Sequence, residues 1–131
     1  MIDDDVDRPE VVAEMLAVFE RYETALVAND LDVLDELFWK APGVVRYGLA
    51  DVQHGWDEVS SFRRGLDRQT PPRRLVDTVV RTFGSDLAVV ATEFESLEDP
   101  SVRGRQSQTW VRFPDGWRVV AAHVSPSPPA L

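Results

Sequence analysis

Two polar side chains lie within otherwise apolar segments, where they can carry chemistry. Tyr22 has helical spacing from Phe19 and Leu26, so the stripe that should face a core also carries its hydroxyl. Arg46 lies inside the strand-like segment Val44–Tyr47. An inward hydroxyl can donate a proton, and an inward guanidinium needs an anionic partner. Each also has a structural alternative: a core tyrosine bonded to the backbone, or an arginine on the solvent face of its strand.

The segment Gly104–Trp110 is unusually polar for a strand with neighbours on both sides. Side chains alternate across a strand, which places Arg105 on one face and Gln106, Gln108 and Trp110 on the other. A polar strand is either the edge of a sheet or the lining of a wet pocket. Because this strand has a central position in the chain's run of strands, the pattern favours a pocket.

The chain contains two histidines, His54 and His123. In a regular strand His123 shares a face with Trp117, Val119 and Ala121, either as a base or ligand contact or as a structural histidine. There is no cysteine and no His-rich spacing, so we expect no metal site. Glycine-rich phosphate loops and a Gly-x-Ser-x-Gly nucleophile motif are also absent.

Helices come first and strands later. The apolar periodicity predicts a helix from about Pro9 to Ala28, a second over Leu31–Trp39 with Asp30 as its cap, and a short third helix over Trp56–Phe62. The predicted strands are Val44–Tyr47, Ala50–His54, Arg74–Phe83, Leu87–Glu95, Gly104–Phe113 and Trp117–Val124. This order is typical of an α+β domain in which a curved sheet wraps the first helix and leaves a cone with one open end.

Length and composition indicate one domain. The chain has 131 residues and a net charge of −9, and we assign residues 1–125 to a single domain and residues 126–131 to a Pro-rich tail that cannot pair in a sheet and is disordered. No apolar run approaches the roughly 18 residues of a membrane span, and the first residues lack signal-peptide features, so we expect a cytoplasmic protein. The acidic balance disfavours nucleic acid as a partner.

The negative charge is concentrated at one end. Residues 1–36 carry 12 acidic and 2 basic residues, whereas the remaining 95 carry 11 acidic and 12 basic residues. All but one of the basic residues are arginines, and Arg suits planar, two-pronged recognition of carboxylates. The negative net charge therefore does not exclude a small anionic ligand.

Several contiguous segments resemble a known family. They are Phe19–Asp30, Leu37–Trp39, Arg46–Gly48, Gly104–Arg112 and Gly116–Ser125. Together they resemble the AtzH-like proteins, a group that includes the oxalurate-catabolism protein HpxZ. That group lies within the nuclear-transport-factor-2-like superfamily, with ketosteroid isomerase and the SnoaL-type cyclases. The resemblance covers about residues 3–125.

This resemblance implies a cystatin-like cone, a curved antiparallel sheet packed on N-terminal helices, usually as a homodimer. It also implies a decarboxylating amidohydrolase that converts 1,3-dicarboxyurea into allophanate. The family's functional tyrosine and arginine correspond to Tyr22 and Arg46 here. The segment Ala50–His54 departs from the family pattern, with Asp51 and His54 in place of a Glu and an aromatic residue.

A mechanism follows as a hypothesis. Arg46 holds a substrate carboxylate with two parallel hydrogen bonds, and Tyr22 protonates the nitrogen that loses carbon dioxide. Breakdown of an N-carboxylate needs orientation and protonation, so no metal or organic cofactor is expected. The other residues predicted to bind substrate are Trp39, Arg105, Gln108, Trp110 and His123.

Two alternatives stay open. The first is a non-enzymatic, dimeric ligand-binding or accessory protein of a ureide or oxalurate pathway. The second is a SnoaL-like isomerase or cyclase, which should need an inward carboxylate base in a mostly apolar pocket. The polar strand at residues 104–109 argues against the second alternative.

Overall fold

The computed structural model describes residues 1–67 and 69–128, and their helices and strands follow the predicted order. The helices are α1 (Pro9–Ala28), α2 (Leu31–Leu37) and α3 (Trp56–Arg64), preceded by a 3-10 turn at Asp3–Asp5. The strands are β1 (Val45–Tyr47), β2 (Val52–His54), β3 (Arg73–Phe83), β4 (Leu87–Ser96), β5 (Arg103–Phe113) and β6 (Gly116–Pro126). Within these residues, no helix is both long and apolar enough to cross a membrane.

The six strands form one sheet in the order β2-β1-β6-β5-β4-β3, and the helices pack against it, which confirms the predicted α+β class. The sheet is mixed rather than purely antiparallel, because β1 runs parallel to β6. Parallel neighbours cannot be joined by a tight hairpin, and here the helix α3 and four further strands separate β1 from β6 in the chain.

Helix α1 supplies one wall of the core. Its buried residues are Val11, Met15, Phe19, Tyr22 and Ala25, as the helical spacing predicts. They face Trp110 and Val119 of the sheet, both fully buried. Each large apolar side chain removed from water contributes roughly 1.5–3 kcal/mol, so this contact anchors α1 across the sheet.

A β-bulge in β6 decides which residues enter the cone. Val119 pairs next to Trp110 on the inner face, but Val120 is an extra residue before the pairing of Ala121 with Thr109. Beyond the bulge, Ala122 faces inward and His123 faces outward. The prediction that His123 shares a face with Val119 is therefore wrong, because simple alternation does not foresee the extra residue.

Strand β6 also extends further than predicted. Ser125 pairs with Arg105, and Pro126 pairs with Gly104, so the strand continues past the predicted end at Val124, and the expectation that Pro126 cannot join the sheet is wrong. Proline is tolerated here because β1 has already ended, so this part of β6 is an edge on that side. No neighbouring strand there requires the N–H donor that proline lacks. The last predicted tail residues, Pro129–Leu131, lie outside the described residues.

The tight packing at Gly104 gives a first prediction. A Cβ at this buried position would overlap the ring of Phe94 and lie 2.8 Å from the backbone oxygen of Ser125. We expect Gly104→Ala to lower the free energy of unfolding by about 1–3 kcal/mol through overpacking. Urea titration measures this change. Ser107→Ala, on the exposed face of the same strand, should change it by less than about 0.5 kcal/mol, and equal effects would contradict the packing argument.

Candidate functional site

A row of side chains crosses the inner face of the sheet and sets the direction of Arg46. Gln53 lies opposite Arg46, Arg46 opposite Ala122, and Ala122 opposite Gln108. Directly paired residues point to the same face, and Gln53 and Gln108 are both buried. Arg46 therefore points into the cone, which resolves the two alternatives that its strand leaves open.

The guanidinium of Arg46 is held by two oxygens from the neighbouring hairpin. Its Nη1 donates to Oδ1 of Asp51 and to Oε1 of Gln53, each at 2.8 Å, and Nε2 of Gln53 donates to the same Asp51 oxygen at 2.8 Å. The Arg46 side chain is 19% exposed, so this group lies where the interior cluster reaches solvent. Its Nε and Nη2 make no hydrogen bond within residues 1–67 and 69–128 and remain available to an anion.

Tyr22 is fixed by aromatic neighbours. The residue is 6% exposed, and its ring lies edge-on to Trp110 at 6.0 Å and 6.4 Å from the ring of Phe38. Such pairs hold a ring in one orientation and add roughly 0.5–1.5 kcal/mol each. The hydroxyl is thereby directed into the interior, beside the guanidinium of Arg63.

Arg63 is a site residue that sequence reasoning missed. It lies near the end of α3, is 8% exposed, and places its guanidinium 4.4 Å above the ring of Phe38. By residue type and position alone, Arg63 resembles its neighbour Arg64, a basic residue in the last turn of α3. Its spacing of four residues from the buried Val59 is the signal that could have found it, because such residues share a helix face.

The charge of Arg63 is poorly compensated. Its Nη1 is buried and has no hydrogen-bond partner in the described part of the chain. Burial lowers the pKa of the guanidinium, and the nearby charge of Arg46 lowers it further, whereas Tyr22 and Asp35 act in the opposite direction. Arginine still keeps its proton at any physiological pH, so the interior contains a cation with an unused donor.

A second ion pair closes the far side of the cluster. Arg73 donates to both carboxylate oxygens of Glu23 at 2.7 and 2.8 Å and to Oε1 of Gln106 at 2.9 Å. Its guanidinium lies 4.4 Å above the ring of Phe94. The helical pattern places Glu23 on the outer face of α1, but the bidentate bond draws its carboxylate inward. Gln106 keeps a buried Nε2 without a partner among the described residues.

Two predicted site residues, Gln108 and Trp110, lie inside the cone and bind each other. The indole Nε1 of Trp110 donates to Oε1 of Gln108 at 3.0 Å. Trp110 is fully buried, so it supports the ring of Tyr22 from behind. The polar inner face of β5 is consistent with the predicted polar lining, although this glutamine oxygen is already occupied.

Three predicted site residues lie elsewhere. Arg105 and His123 are on the exposed outer face of the sheet, beside a shallow depression of about 330 Å³. Alternation turns Arg105 outward, and the bulge turns His123 outward. Trp39 stacks on Phe113 at 5.6 Å and lines a groove of about 450 Å³ outside the cluster. We therefore exclude these three residues from the candidate site.

Helices packed on a curved six-stranded sheet, with a polar cluster inside, define a nuclear-transport-factor-2-like domain. The fold matches a protein of that superfamily from Salmonella enterica with 21% identity, 93% of each chain covered and a TM-score of 0.71. The sequence pattern of the AtzH-like family matches residues 4–129, and the chain belongs to this family.

Two solved structures are considerably more similar in sequence. One is a protein of unknown function from Pectobacterium atrosepticum, with 46% identity, 98% of this chain and 99% of that chain covered, and a TM-score of 0.93. The other is a cystatin-like fold protein from Burkholderia xenovorans, with 48% identity, 92% and 95% covered, and a TM-score of 0.88. No relative was found among curated proteins.

The partner of Arg46 gives a second prediction. Asp51→Ala removes the carboxylate that neutralises a partly buried guanidinium, and we expect the free energy of unfolding to fall by about 1–2 kcal/mol in urea titrations. Asp86→Ala, which removes the exposed partner of Arg112, should cost less than about 0.5 kcal/mol. If both substitutions cost the same, Asp51 has no special role in holding Arg46.

Proposed function

We propose that the chain is a cofactor-free, decarboxylating amidohydrolase of nitrogen-compound catabolism, acting on a small carboxylated urea of the 1,3-dicarboxyurea type. One observation carries this proposal: the buried Tyr22 shares one interior cluster with two inward arginines, Arg46 and Arg63, that keep unused donors. Membership of the AtzH-like family supports the same chemistry.

In this proposal, Arg46 binds the urea through the donors that its own network leaves available. Asp51 and Gln53 both occupy Nη1, so the edge formed by Nε and Nη2 presents two parallel N–H groups to a carboxylate or carbonyl oxygen. Asp51 acts as a positioning residue, because it holds the guanidinium without touching the substrate. Binding in a fixed orientation lowers the barrier before any bond changes.

Tyr22 supplies the proton. The bond between nitrogen and the carboxylate carbon breaks, the bonding electrons stay on nitrogen, and the carbon leaves as carbon dioxide. Nitrogen then accepts a proton from the hydroxyl, which solvent restores. The aromatic rings around Tyr22 exclude water from this step and keep the hydroxyl in place.

The interior does not suit the isomerase or cyclase alternative. The acids that line the cluster, Glu23 and Asp51, are each bound to an arginine, so neither is a free base for abstracting a proton from an apolar ring. The accessory-protein alternative predicts ligand binding without turnover, and the assays below distinguish it.

We further propose that two copies of the chain associate through the outer face of the sheet. That face exposes apolar side chains on the two pairs of strands that flank β6 and β5: Tyr47, Val52, Val79, Leu87 and Val89. A patch of this kind on a chain of net charge −9 favours a partner, and a second copy presents the same apolar surface in return.

This association gives a third prediction. Val89→Glu places a charge on β4 within the apolar part of the outer face, and we expect it to convert dimers into monomers in sedimentation velocity experiments. Leu97→Glu adds the same charge to an exposed loop residue outside that face and should leave the dimer intact. A wild-type protein that sediments as a monomer at micromolar concentration would contradict the proposal.

The role of Tyr22 gives a fourth prediction. Tyr22→Phe removes only the hydroxyl, and we expect the rate of carbon dioxide release from 1,3-dicarboxyurea to fall by about 100-fold or more. The matched control is Tyr47→Phe, which alters the other tyrosine of the chain, on the outer face. It should retain the wild-type rate.

Circular dichroism will show whether both variants keep the fold. If the Tyr22 variant turns over at the wild-type rate, Tyr22 is not the proton donor. If the wild type binds carboxylated ureas but releases no carbon dioxide, the accessory-protein alternative replaces the proposed function.

A further inference from the structure

We infer that Arg63 is the residue that selects the charge of the ligand: its free Nη1 binds the carboxylate that the reaction retains, while Arg46 faces the end of the urea that changes. This inference rests on the proposed function for the two ends of the substrate. The binding role of Arg63 stands on the geometry alone and can be tested without turnover.

The inward arginines differ in how their charges are compensated. Arg73 is neutralised by both oxygens of Glu23, and Arg46 by Asp51. Arg63 has no acid of its own in the described part of the chain. The cluster around Arg46 is therefore neutral overall, whereas Arg63 adds an uncompensated positive charge.

The acid nearest to Arg63 is already engaged by other groups. Oδ2 of Asp35 accepts from Arg64 at 2.6 Å and from the Ser60 hydroxyl at 3.0 Å. It influences Arg63 only from a distance, as a charge that raises the pKa of the guanidinium. This arrangement leaves a donor of Arg63 for a group from outside the chain.

The position of Arg63 has an energetic cost. A buried charge with an unmatched donor destabilises a fold, and the face of Phe38, 4.4 Å below the guanidinium, offsets only part of that cost. The position of Arg63 beside the Tyr22 hydroxyl gives it a role in binding an anion at the reacting centre.

The reaction changes only one end of the proposed substrate. A dicarboxylated urea and its singly carboxylated product share one carboxylate and differ at the other end. The Arg63 cation binds the shared carboxylate most strongly, because, unlike the charge of Arg46, its charge is not already offset by a hydrogen-bonded carboxylate. The neutral Arg46–Asp51 group stabilises the departing carboxylate less. Binding at this end therefore does not lower the free energy of the bound substrate, which would raise the barrier to breaking its bond.

The test uses a ligand series that differs only in charge: malonate, malonamate and malonamide, with two, one and no carboxylates. By isothermal titration calorimetry we expect wild type to bind malonamate about 10-fold or more tightly than malonamide. Arg63→Gln should bind malonamate about 10-fold more weakly and lose the preference over malonamide. Arg74→Gln, which removes an exposed arginine paired with Glu95, should behave as wild type.

Two readouts separate ligand binding from a structural role. Because the Arg63 charge is uncompensated, Arg63→Gln should not lower the unfolding temperature, whereas a residue needed for packing would lower it. Arg63→Lys should retain part of the preference for malonamate, because it keeps the charge. If Arg63→Gln does not fold, the Nε–H nuclear magnetic resonance signal of Arg63 in wild type must shift with malonamate but not with malonamide.

The outcomes also separate this inference from the proposed function. Arg63-dependent malonamate binding without turnover of 1,3-dicarboxyurea would support the anion site and overturn the enzymatic proposal. Turnover by Arg63→Gln with unchanged KM, together with malonamate affinity within about twofold of wild type, would overturn the inference about Arg63 and leave the enzymatic proposal standing.

Discussion

A guanidinium inside a folded domain must meet an oxygen acceptor or leave part of its charge unmatched, and this constraint organises the interior of the cone. Glu23 is drawn inward to hold Arg73 with both oxygens, and Asp51 holds Arg46 from the neighbouring hairpin. Arg63 is the exception, since its Nη1 has no partner among the described residues. The interior therefore combines neutralised pairs with one donor that suits an incoming anion.

Aromatic rings make this arrangement possible. The guanidinium of Arg63 lies over Phe38, that of Arg73 over Phe94, and that of Arg46 nearer the edge of the cluster over Phe62. A ring face attracts a cation while excluding water, so it supports a charge without consuming its hydrogen-bond donors. The opposite face of the same sheet is a different surface, where exposed apolar side chains such as Val89 occur together with the exposed Arg105 and His123.

Periodicity in the sequence accounts for much of the fold. The 3.6-residue repeat of α1 predicts its buried face, including Tyr22, and the order of helices and strands predicts the α+β class. Alternation along β5 correctly separates the buried Gln106 and Gln108 from the exposed Arg105. These predictions succeed because each depends only on neighbouring residues of one element, whose geometry repeats regularly.

Tertiary structure alone decided how these elements meet at the site. The direction of Arg46 follows from its pairing with Ala122 of β6, and the bulge at Val120 turns His123 out of the cone. The position of Arg63 beside Tyr22 depends on how α3 packs over α2 and the sheet, which joins residues far apart in the chain. The sequence by itself thus determined the elements and their buried faces, because those obey local periods. Pairing register, an extra strand residue and the neutralisation of charges depend on contacts between distant segments, so only the folded chain decides them.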